Sequence, residues 1–419
     1  MPANSNQPDV LIIGGGIIGI STAYFLAKAG VPALILEKGD VGAGSSWGNA
    51  GLICPCSSEP IPGPGVLTQG LKWLLDPESP FYIKLRFEPA LWQWLWKFQS
   101  YCNEASYQMA FPLLRDMQRL SLDLYREIVR AEGIKCHFNQ SGGMLLFKTA
   151  KAWQNASRLV EDARHFGLDT VALDGDEVRD FEPAVHPDVI GGLHYREDAH
   201  IDPALFLTGL AERSQALGVQ IKASTLVQQI ETGGGRITAL HTDQGSYYPK
   251  QVVLAAGSWS AALAAQAGLK LLMQPAKGYS ITVDSPAIIP TRHLHMAEAR
   301  AVVTPMGPRL RFAGTLELAG MDSKINQRRV RAIQRNVSGY LKDYTPQSDA
   351  TIWAGLRPCS PDGLPYIGRT PAVSNLIVAT GHAMLGMSMG PVTGKIVCDL
   401  LLDNPPPLDL QSFSPARFS

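Results

Sequence analysis

The chain opens with apolar runs and a glycine-rich turn that predict a strand, a tight connection and a helix. Val10–Ile13 is a short run of branched apolar residues, and Ile17–Ala29 has the apolar content of a helix that stops at Gly30. Ala33–Leu36 is a second apolar strand. This order of strand, helix and strand predicts a Rossmann-like α/β domain, in which helices cover a parallel sheet.

Two later stretches repeat the pattern of the opening. Val252–Ala256 is an apolar strand that ends at Gly257, and Leu376–Leu402 predicts a strand, a glycine-bearing loop and a helix. Between them and the opening, the prolines of Ser57–Pro89 break any long element. The first domain is therefore predicted to be built from separated segments of the chain.

We predict two domains, because 419 residues exceed the size of one hydrophobic core. The predicted cofactor domain comprises residues 1–58, 197–272 and 350–419. The predicted substrate domain comprises residues 59–196 and 273–349, and we expect an α+β fold there, with a mixed sheet and helices. Its basic helix around Arg328, Arg329 and Arg331 is expected to present a solvated face.

The glycine turn carries the first chemical prediction. Gly14, Gly16 and Gly19 have the G-x-G-x-x-G spacing between a strand and a helix, which brings backbone N–H groups and the positive helix end to a pyrophosphate. Glu37 ends the second strand, where its carboxylate can bind both ribose hydroxyls of a dinucleotide. We assign to the cofactor these residues together with Ile17, Ile18 and Lys38.

Two further stretches of small residues predict a long cofactor. Gly42–Leu52 is too rich in glycine, serine and alanine for a regular element, and a mobile surface loop is the alternative. Near the other end of the chain, a glycine-bearing loop precedes a helix that begins near Gly390 with Pro391 in its first turn. The further predicted cofactor residues are Ser45, Ser46, Asn49, Ala50, Gly51, Leu52, Leu226, Val227, Ala256, Gly257, Gly355, Gly381, Met384, Leu385, Gly386, Met387 and Ser388.

Composition narrows the class of protein. The 37 basic and 37 acidic residues give zero net charge, which provides no electrostatic case for nucleic-acid binding. No apolar run is long enough to span a bilayer, and the N-terminus lacks the pattern of a secretory signal, so we expect a soluble cytoplasmic protein. The six cysteines are expected to be buried free thiols, and we predict no metal site.

These motifs resemble those of the FAD-dependent D-amino-acid dehydrogenases of the small-subunit type, within the D-amino-acid oxidase and glycine oxidase superfamily. The resemblance spans nearly the whole chain. It rests on the glycine turn, Asn49–Gly51, Pro275–Ser280, Gly355–Gly363 and Ala416–Ser419. It implies hydride transfer from the substrate Cα to flavin N5, a 2-oxo acid and ammonia as products, and a quinone or other carrier as electron acceptor.

The resemblance also implies roles for individual residues. Arg357 matches the arginine that binds the substrate carboxylate. Tyr279 matches a position on the substrate side of the flavin, where its hydroxyl could donate a further hydrogen bond to that carboxylate, and a half-buried aromatic residue on a strand is its alternative. His382 is the third candidate catalytic residue, and a hydrogen-bonded loop histidine is its alternative. Cys359 is displaced from the place of a covalent flavin link in some relatives, where Gly355 stands here, so non-covalent FAD is expected.

Several alternatives stay open at this point. The substrate could instead be a secondary amine, imino acid or glycine, such as D-hydroxyproline, D-proline or sarcosine, and the chain could be a flavin-binding relay subunit without a substrate site. The sequence leaves open an oligomer or heteromeric complex. Trp92, Trp94 and Trp96 suggest peripheral contact with the inner membrane, although packing within the substrate domain is the favoured interpretation.

Overall fold

The structure is a computed structural model, and it describes residues 6–68, 70, 81–84, 86–154, 156–347 and 349–418. Its helices are α1 (Ile17–Lys28), α2 (Pro89–Tyr101), α3 (Glu104–Glu132), α4 (Ala150–Gln154), α5 (Ala156–His165), α6 (Gly175–Phe181), α7 (Pro203–Ala216), α8 (Ser260–Gln266), α9 (Gln327–Ser338) and α10 (Gly390–Leu401), with 3-10 turns at Gly257–Trp259 and Gln411–Phe413.

A six-stranded sheet forms the first layer. Its strands are β1 (Val10–Ile13), β2 (Ala33–Leu36), β9 (Gln220–Lys222), β13 (Gln251–Leu254), β19 (Tyr366–Arg369) and β20 (Leu376–Thr380). The strand order is β19-β20-β13-β1-β2-β9, and every pair is parallel except β19 with β20. The predicted strand–helix–strand opening and the return of the two later strands are confirmed.

A nine-stranded mixed sheet forms the second large layer. Its strands are β4 (Phe81–Ile83), β5 (Gly143–Phe147), β6 (Thr170–Asp174), β7 (Gly191–Tyr195), β14 (Gln274–Asp284), β15 (His293–Met296), β16 (Ala301–Met306), β17 (Arg309–Leu318) and β18 (Thr351–Cys359). The order is β18-β14-β17-β16-β15-β5-β7-β6, and β4 pairs with β17. Two smaller units complete the strands: the hairpin sheet β10 (Val227–Gly233), β11 (Arg236–Thr242) and β12 (Gly245–Tyr247), and the pair β3 (Leu52–Ile53) with β8 (Ala199–His200).

The position of β18 corrects one predicted boundary. A cofactor domain that begins at residue 350 includes β18, but this strand pairs with β14 from Gln274↔Cys359 to Thr282↔Thr351. Thr351–Cys359 therefore belongs to the large sheet, because its hydrogen-bonding partner is a strand of the predicted substrate domain. The other domain boundaries stay predictions.

Two helix contacts hold the cofactor-side layer together. Gly390 and Gly394 of α10 lie directly against α1, where a Cβ at Gly390 would come within 2.4 Å of the Ile17 side chain, and one at Gly394 within 2.5 Å of the Ser21 backbone. Helix α3 packs on the same layer, since the hydroxyl of buried Tyr125 donates a 2.5 Å hydrogen bond to the Met387 carbonyl. The close approach requires glycine, because any larger residue would separate α1 from α10.

Two expectations about surface residues are partly wrong. Arg329 on α9 is buried and forms a 2.7 Å ion pair with buried Glu317, so this side of the basic helix is not solvated. The tryptophans lie on α2, where helical spacing separates them. Trp94 is buried and donates to the Cys359 carbonyl at 2.9 Å, whereas Trp92 and Trp96 are 50% and 69% exposed. Of these three tryptophans, Trp94 alone is buried in the protein.

Two expectations from the sequence concern the cysteines and the membrane-spanning segments. All six cysteines are free, and five of them are buried, which confirms the predicted thiols. Among the residues that the structure describes, no helix has the length and apolar content needed to cross a membrane.

Candidate functional site

A cavity of about 1200 Å³ lies where the carboxyl ends of the parallel strands meet the large sheet. The cavity is lined by the last residues of β1 and β2, which are Ile13 and Leu36, by Ala379 of β20 and by Ala255 directly after β13. Ligands of open α/β sheets bind outside the carboxyl ends of the strands, at the point where the strand order reverses. The cavity occupies that place, and the large sheet supplies its opposite wall.

The glycine turn forms one wall of the cavity. Gly14 has a φ of +112°, and a Cβ there would lie 2.5 Å from the Ala255 carbonyl oxygen, so the turn requires glycine. Gly16, Ile17 and Ile18 line the cavity at the start of α1. The Ile17 N–H donates to the Ser46 hydroxyl at 3.0 Å, which ties the helix end to the small-residue stretch.

Glu37 lies at the end of β2 with its carboxylate on the cavity. Its two carboxylate oxygens accept hydrogen bonds from the Gly15 and Gly39 N–H groups, at 2.7 and 3.0 Å. These bonds fix the carboxylate beside the glycine turn. That is the location from which an acidic residue can bind ribose hydroxyls.

Three predicted cofactor residues do not line the cavity, namely Gly19, Gly51 and Gly381. A Cβ at Gly19 would lie 1.9 Å from the Gly14 carbonyl oxygen, and one at Gly51 would lie 2.1 Å from that of Ile201. Gly381 has a φ of +81°, and its Cβ would lie 2.8 Å from the Tyr366 ring. These glycines shape the walls by allowing close backbone packing, and their contact with the cofactor stays a prediction.

One part of the cavity wall is mainly apolar. Leu226 and Val227 line it, as do Ala256 and Gly257. The Lys38 ammonium lies 3.1 Å from the centroid of the Trp259 ring, an arrangement that stabilises the cation through the ring's π electrons. Trp259 was not predicted from the sequence, because its contact with Lys38 joins residues from two segments of the chain.

The small-residue stretch crosses the middle of the cavity, where Ser45, Ser46, Asn49, Ala50 and Leu52 line it. Buried Arg311, on β17, holds this stretch by donating to the Trp47 and Asn49 carbonyls at 3.2 and 2.8 Å. The stretch is therefore anchored to the large sheet and is not a free surface loop. Sequence reasoning missed Arg311, since nothing local marks an arginine whose partners lie more than 250 residues away.

Trp353 was also missed, although its ring lies on the cavity between two glycines. A Cβ at Gly48 or at Gly355 would come within 2.1 or 1.9 Å of that ring. Gly355 thus lines the cavity as predicted, and it also makes room for the indole.

The loop before α10 supplies a further side of the cavity through Met384, Leu385, Gly386, Met387 and Ser388. The Ser388 hydroxyl donates to the Gln118 side chain at 2.6 Å, so α3 holds the loop. His382 lines the cavity too, with its Nε2 3.0 Å from the Thr393 hydroxyl. Burial lowers the pKa of His382 to about 3, so the ring is neutral at ordinary pH. Its catalytic role stays a prediction.

Arg357 lies on β18 with its guanidinium facing the cavity. Its Nη1 donates to the Thr315 carbonyl at 2.9 Å, and burial lowers its pKa below the ordinary value without removing the charge. Across the described part of the chain, no carboxylate forms an ion pair with it. The guanidinium is therefore a half-buried positive charge on the wall of the cavity.

The strands around Arg357 are shaped to admit its side chain. Gly278 lies opposite Gly355 on the neighbouring strand, and a Cβ at Gly278 would lie 2.0 Å from Nη1 of Arg357. A bulge between β14 and β17 places Thr315 in the left-handed region, with a φ of +68°. The bulge directs the Thr315 carbonyl to the guanidinium.

Tyr279 has a different partner from the predicted one. Its hydroxyl donates to Glu317 at 3.0 Å and accepts from the Asn326 N–H at 3.3 Å. Glu317 also pairs with Lys277 and Arg329, so the phenol belongs to a buried network of charges. Tyr279 lines the cavity, but its hydroxyl proton is directed to Glu317, and a bond to a substrate carboxylate stays a prediction.

The chain is similar in sequence and structure to flavin enzymes. The family model described as FAD dependent oxidoreductase matches residues 9–400. The chain is 31% identical over 415 residues to D-amino acid dehydrogenase 1 of Mesorhizobium japonicum and 32% identical over 416 residues to the D-amino acid dehydrogenase of Bradyrhizobium diazoefficiens. Each alignment covers 98% of this chain and 99% of the relative.

Solved structures share the fold. Glycine oxidase from Geobacillus kaustophilus superposes with a TM-score of 0.80 at 24% identity, over 99% of this chain and 100% of that chain. L-proline dehydrogenase from P. horikoshii superposes with a TM-score of 0.75 at 20% identity, over 99% of this chain and 98% of that chain.

Proposed function

We propose that this chain, which belongs to the FAD dependent oxidoreductase family, oxidatively deaminates D-amino acids and passes the electrons to a quinone or another carrier. One observation carries the proposal. The half-buried Arg357 guanidinium lines the cavity and has no carboxylate partner among the described residues. A charge that is partly withdrawn from water without an ionic partner is costly, so the site favours a ligand that brings its own anion, such as the carboxylate of an amino acid.

The residues of the cavity fit FAD, the cofactor of this family. Gly16 and Ile17 offer a helix start for the pyrophosphate, Glu37 offers a carboxylate for the ribose, and Leu226 and Val227 offer an apolar surface for the adenine. The remaining wall, from Asn49 to Leu52 and from Met384 to Ser388, surrounds the space for the flavin. When bound, FAD supplies the acceptor for the hydride that leaves the substrate Cα.

The work of the protein's own residues is to bind and orient the substrate. Arg357 binds the carboxylate through two parallel hydrogen bonds, and the Thr315 carbonyl keeps the guanidinium plane in place. His382 is neutral and its Nε2 contacts Thr393, so it positions the loop before α10 and does not need to carry a proton. A substrate amine that binds in its neutral form needs no protein base, because its nitrogen lone pair assists departure of the hydride.

The names of the relatives support the finer part of the proposal. Both relatives described above are called D-amino acid dehydrogenases, and the similarity covers nearly all of each chain. The word dehydrogenase points to an acceptor other than oxygen. The arginine on the cavity wall also argues against a relay subunit, because electron transfer alone does not require a carboxylate clamp.

Anaerobic reduction of the bound flavin tests the proposal. The purified chain is mixed with D- and L-amino acids and with glycine, sarcosine, D-proline and D-hydroxyproline, and bleaching of the flavin absorbance is followed. We expect faster bleaching by primary D-amino acids than by their L-enantiomers. Preference for the secondary amines would replace the proposed substrate class. Absence of bleaching by every compound, with a flavin that dithionite still reduces, would contradict a substrate site in this chain.

A further inference from the structure

A buried group of sulfur, imidazole and carboxylate side chains lies beside the main cavity, and we call it the Cys-His cluster. It consists of Cys54, Asp198, His200, His293 and His295. The ligand atoms of Cys54, His293 and His295 all lie within 4.8 Å of one another. Cys54 and His295 also line the cavity, so the cluster has one side open to it. The function proposed above uses none of these side chains.

Strand geometry brings the cluster together. His293 and His295 are two residues apart on β15, so both imidazoles lie on the same face of that strand. Asp198 and His200 have the same spacing at β8. In the pair of β3 with β8, Leu52 faces His200 and Ile53 faces Ala199. Continuing this register places Cys54 opposite Asp198, so three separate segments converge on one point.

The distances within the cluster match those around a metal ion. Cys54 Sγ lies 3.4 Å from His293 Nε2, and the same nitrogen lies 3.7 Å from Asp198 Oδ2. Tetrahedral zinc, with bonds of about 2.0 Å to nitrogen and about 2.3 Å to sulfur, separates neighbouring ligand atoms by about 3.3 to 3.6 Å. The ligand atoms of Cys54, His293 and His295 all lie within 4.8 Å of one another, so a shift of about 1 Å brings any wider pair to the spacing around zinc.

Several polar atoms of the cluster lack hydrogen-bond partners although they are buried. They are Asp198 Oδ2, His200 Nδ1, His293 Nδ1 and His295 Nε2. Asp198, His200 and Cys54 are at most 3% exposed, and His293 is fully buried. Buried polar atoms are normally satisfied, and a group of unsatisfied atoms in one place indicates an unseen ion or ligand.

The neighbouring strand leaves space for the His293 ring. Gly143 pairs with His293, and a Cβ at Gly143 would lie 2.0 Å from His293 Nε2. Only glycine at this position allows the ring to lie where it does. The packing around the cluster thus serves the placement of an imidazole nitrogen.

We propose that Cys54, His293 and His295 bind a divalent transition ion of the zinc class, with Asp198 as the adjacent carboxylate and a coordination position open to the cavity. Sulfur and imidazole ligands select such ions over Mg²⁺ or Ca²⁺. Binding converts the Cys54 thiol to a thiolate and releases its proton to solvent. One thiolate, one carboxylate and a divalent cation then give a neutral site, which limits the cost of placing the ion among mostly buried residues.

The protonation states of the free residues are compatible with this assignment. Burial lowers the pKa of both His293 and His295 to about 3, so each imidazole is neutral and offers a lone pair. Burial, together with the nearby Asp198 carboxylate, raises the pKa of the Cys54 thiol well above its ordinary value.

Metal content and Co²⁺ binding test the proposal without any use of enzyme activity. The untagged full chain, as isolated, is analysed for metals by mass spectrometry, then stripped with a chelator and titrated with Co²⁺. Difference spectra against the stripped protein remove the flavin absorbance. We expect about one ion per chain, and ligand-field bands at wavelengths beyond the flavin, with the intensity of a four-coordinate site that contains a thiolate.

Three variants assign the ligands. Cys54→Ser and His295→Gln should each weaken Co²⁺ binding by more than about 100-fold, since even outer-shell partners contribute about 10- to 100-fold. Cys398→Ser is the matched control, because Cys398 is a buried free thiol outside the cluster. If Cys54→Ser does not fold, the assignment is tested with His295→Gln alone. The His295 side chain is partly exposed, so its replacement should be tolerated, and the flavin content of the variant protein reports whether it has folded.

Two results would overturn the assignment. The first is a folded, flavin-containing wild type with neither bound metal nor saturable Co²⁺ binding. The second is Co²⁺ binding by Cys54→Ser and His295→Gln with the same affinity as that of the control Cys398→Ser. That result would mean that the ion binds elsewhere. Because the readout is metal binding, failure of the proposed deaminase activity would leave this test intact.

Discussion

Replacement of Arg357 is the sharpest test of how this protein binds its substrate. Nη1 of Arg357 is already held by the Thr315 carbonyl at 2.9 Å, and the rest of the planar group faces the cavity. Lysine keeps the charge but offers one ammonium in place of two parallel donors, and it cannot serve Thr315 and a carboxylate in the same geometry. Glutamine removes the charge altogether, so the two variants separate the contribution of geometry from that of charge.

The expected magnitudes follow from the burial of the group. Loss of one partner of a buried charged pair costs about 2 to 5 kcal/mol. We assign the lower end to Arg357→Lys, about 2 to 3 kcal/mol, which is roughly a 30- to 150-fold loss in kcat/KM at 1.4 kcal/mol per factor of ten. We assign the upper end to Arg357→Gln, about 4 to 5 kcal/mol, which is a loss of roughly 1000-fold or more.

A third variant tests the placement of the arginine while keeping the residue. Gly278→Ala puts a Cβ 2.0 Å from Nη1 of Arg357, so the guanidinium must move. Misplacement of a binding group by about 1 Å can cost about 100-fold, and we expect Gly278→Ala to behave like Arg357→Lys. Arg119→Lys is the matched control, because Arg119 pairs with Glu197 outside the cavity and should leave kcat/KM unchanged.

The assay is steady-state reduction of an artificial electron acceptor at varied substrate concentration, with the flavin content of each variant measured beforehand. All four variants should retain the cofactor, since none of the altered side chains was assigned to it. Unchanged kcat/KM in Arg357→Gln, with full flavin content, would mean that the carboxylate is bound elsewhere and would refute the reasoning. Equal losses in Arg119→Lys and Arg357→Lys would attribute the effect to general destabilisation.

Three further predictions concern the cofactor and the surface. Gly16→Val should give folded but flavin-poor protein, because Gly16 lines the cavity and a Cβ there lies 3.3 Å from the Ser46 hydroxyl on the same wall. Gly19→Val should instead lower thermal stability, because a Cβ there meets the Gly14 carbonyl oxygen at 1.9 Å, and absorbance spectra and melting curves distinguish the two variants. Acid or heat should release the flavin, and flavin that stays on the denatured chain would indicate a covalent link. The protein should purify without detergent, and if it pellets with membranes at both low and high salt, exposed Trp92 and Trp96 become the first residues to replace.

The opening of the chain could be predicted because its structure is determined locally. The apolar run before Gly14, the glycine spacing and the acid at Glu37 all act within about 30 residues, and the observed β1, α1 and β2 follow from them. The sequence could not show which glycines contact the ligand and which pack against the backbone of other segments. Whether a glycine touches the ligand or packs against backbone depends on distant neighbours, as Ile201 near Gly51 illustrates.

The wrong expectations share one cause, which is the dependence of burial on distant partners. Arg329 lies on a basic helix whose sequence predicts exposure to solvent, yet its guanidinium forms an ion pair with Glu317 of β17 in the interior. Trp92 and Trp96 alternate as in a strand, yet Pro89 begins a helix that turns them outward. The Cys-His cluster shows the same limit, since 239 residues separate Cys54 from His293 and no spacing rule links them.

The edge strand β18 couples the two halves of the site. It is the terminal strand of the large sheet, and within the described part of the chain its outer side pairs with no other strand apart from an isolated bridge between Cys359 and His382. On that side the Leu356 carbonyl accepts hydrogen bonds from the hydroxyls of Ser45 and Ser258, at 2.5 and 2.9 Å. Both serines belong to segments that surround the cofactor space. The next residue along the strand is Arg357, which faces the cavity.

This arrangement gives a reason for the position of Arg357, the proposed substrate-binding residue, on β18. A strand that belongs to the large sheet, and whose free edge is bonded to the cofactor-side segments, keeps a fixed distance between the two walls of the cavity. Arg357 follows the anchored Leu356 carbonyl directly, so its backbone cannot shift without breaking the bonds to Ser45 and Ser258. Orientation of a substrate against a cofactor requires such rigidity, because the rate of transfer depends on the separation of the reacting atoms. An exposed sheet edge normally has to be covered by other parts of the protein. Here the bonds that cover the edge of β18 also fix the position of Arg357 relative to the segments around the cofactor space.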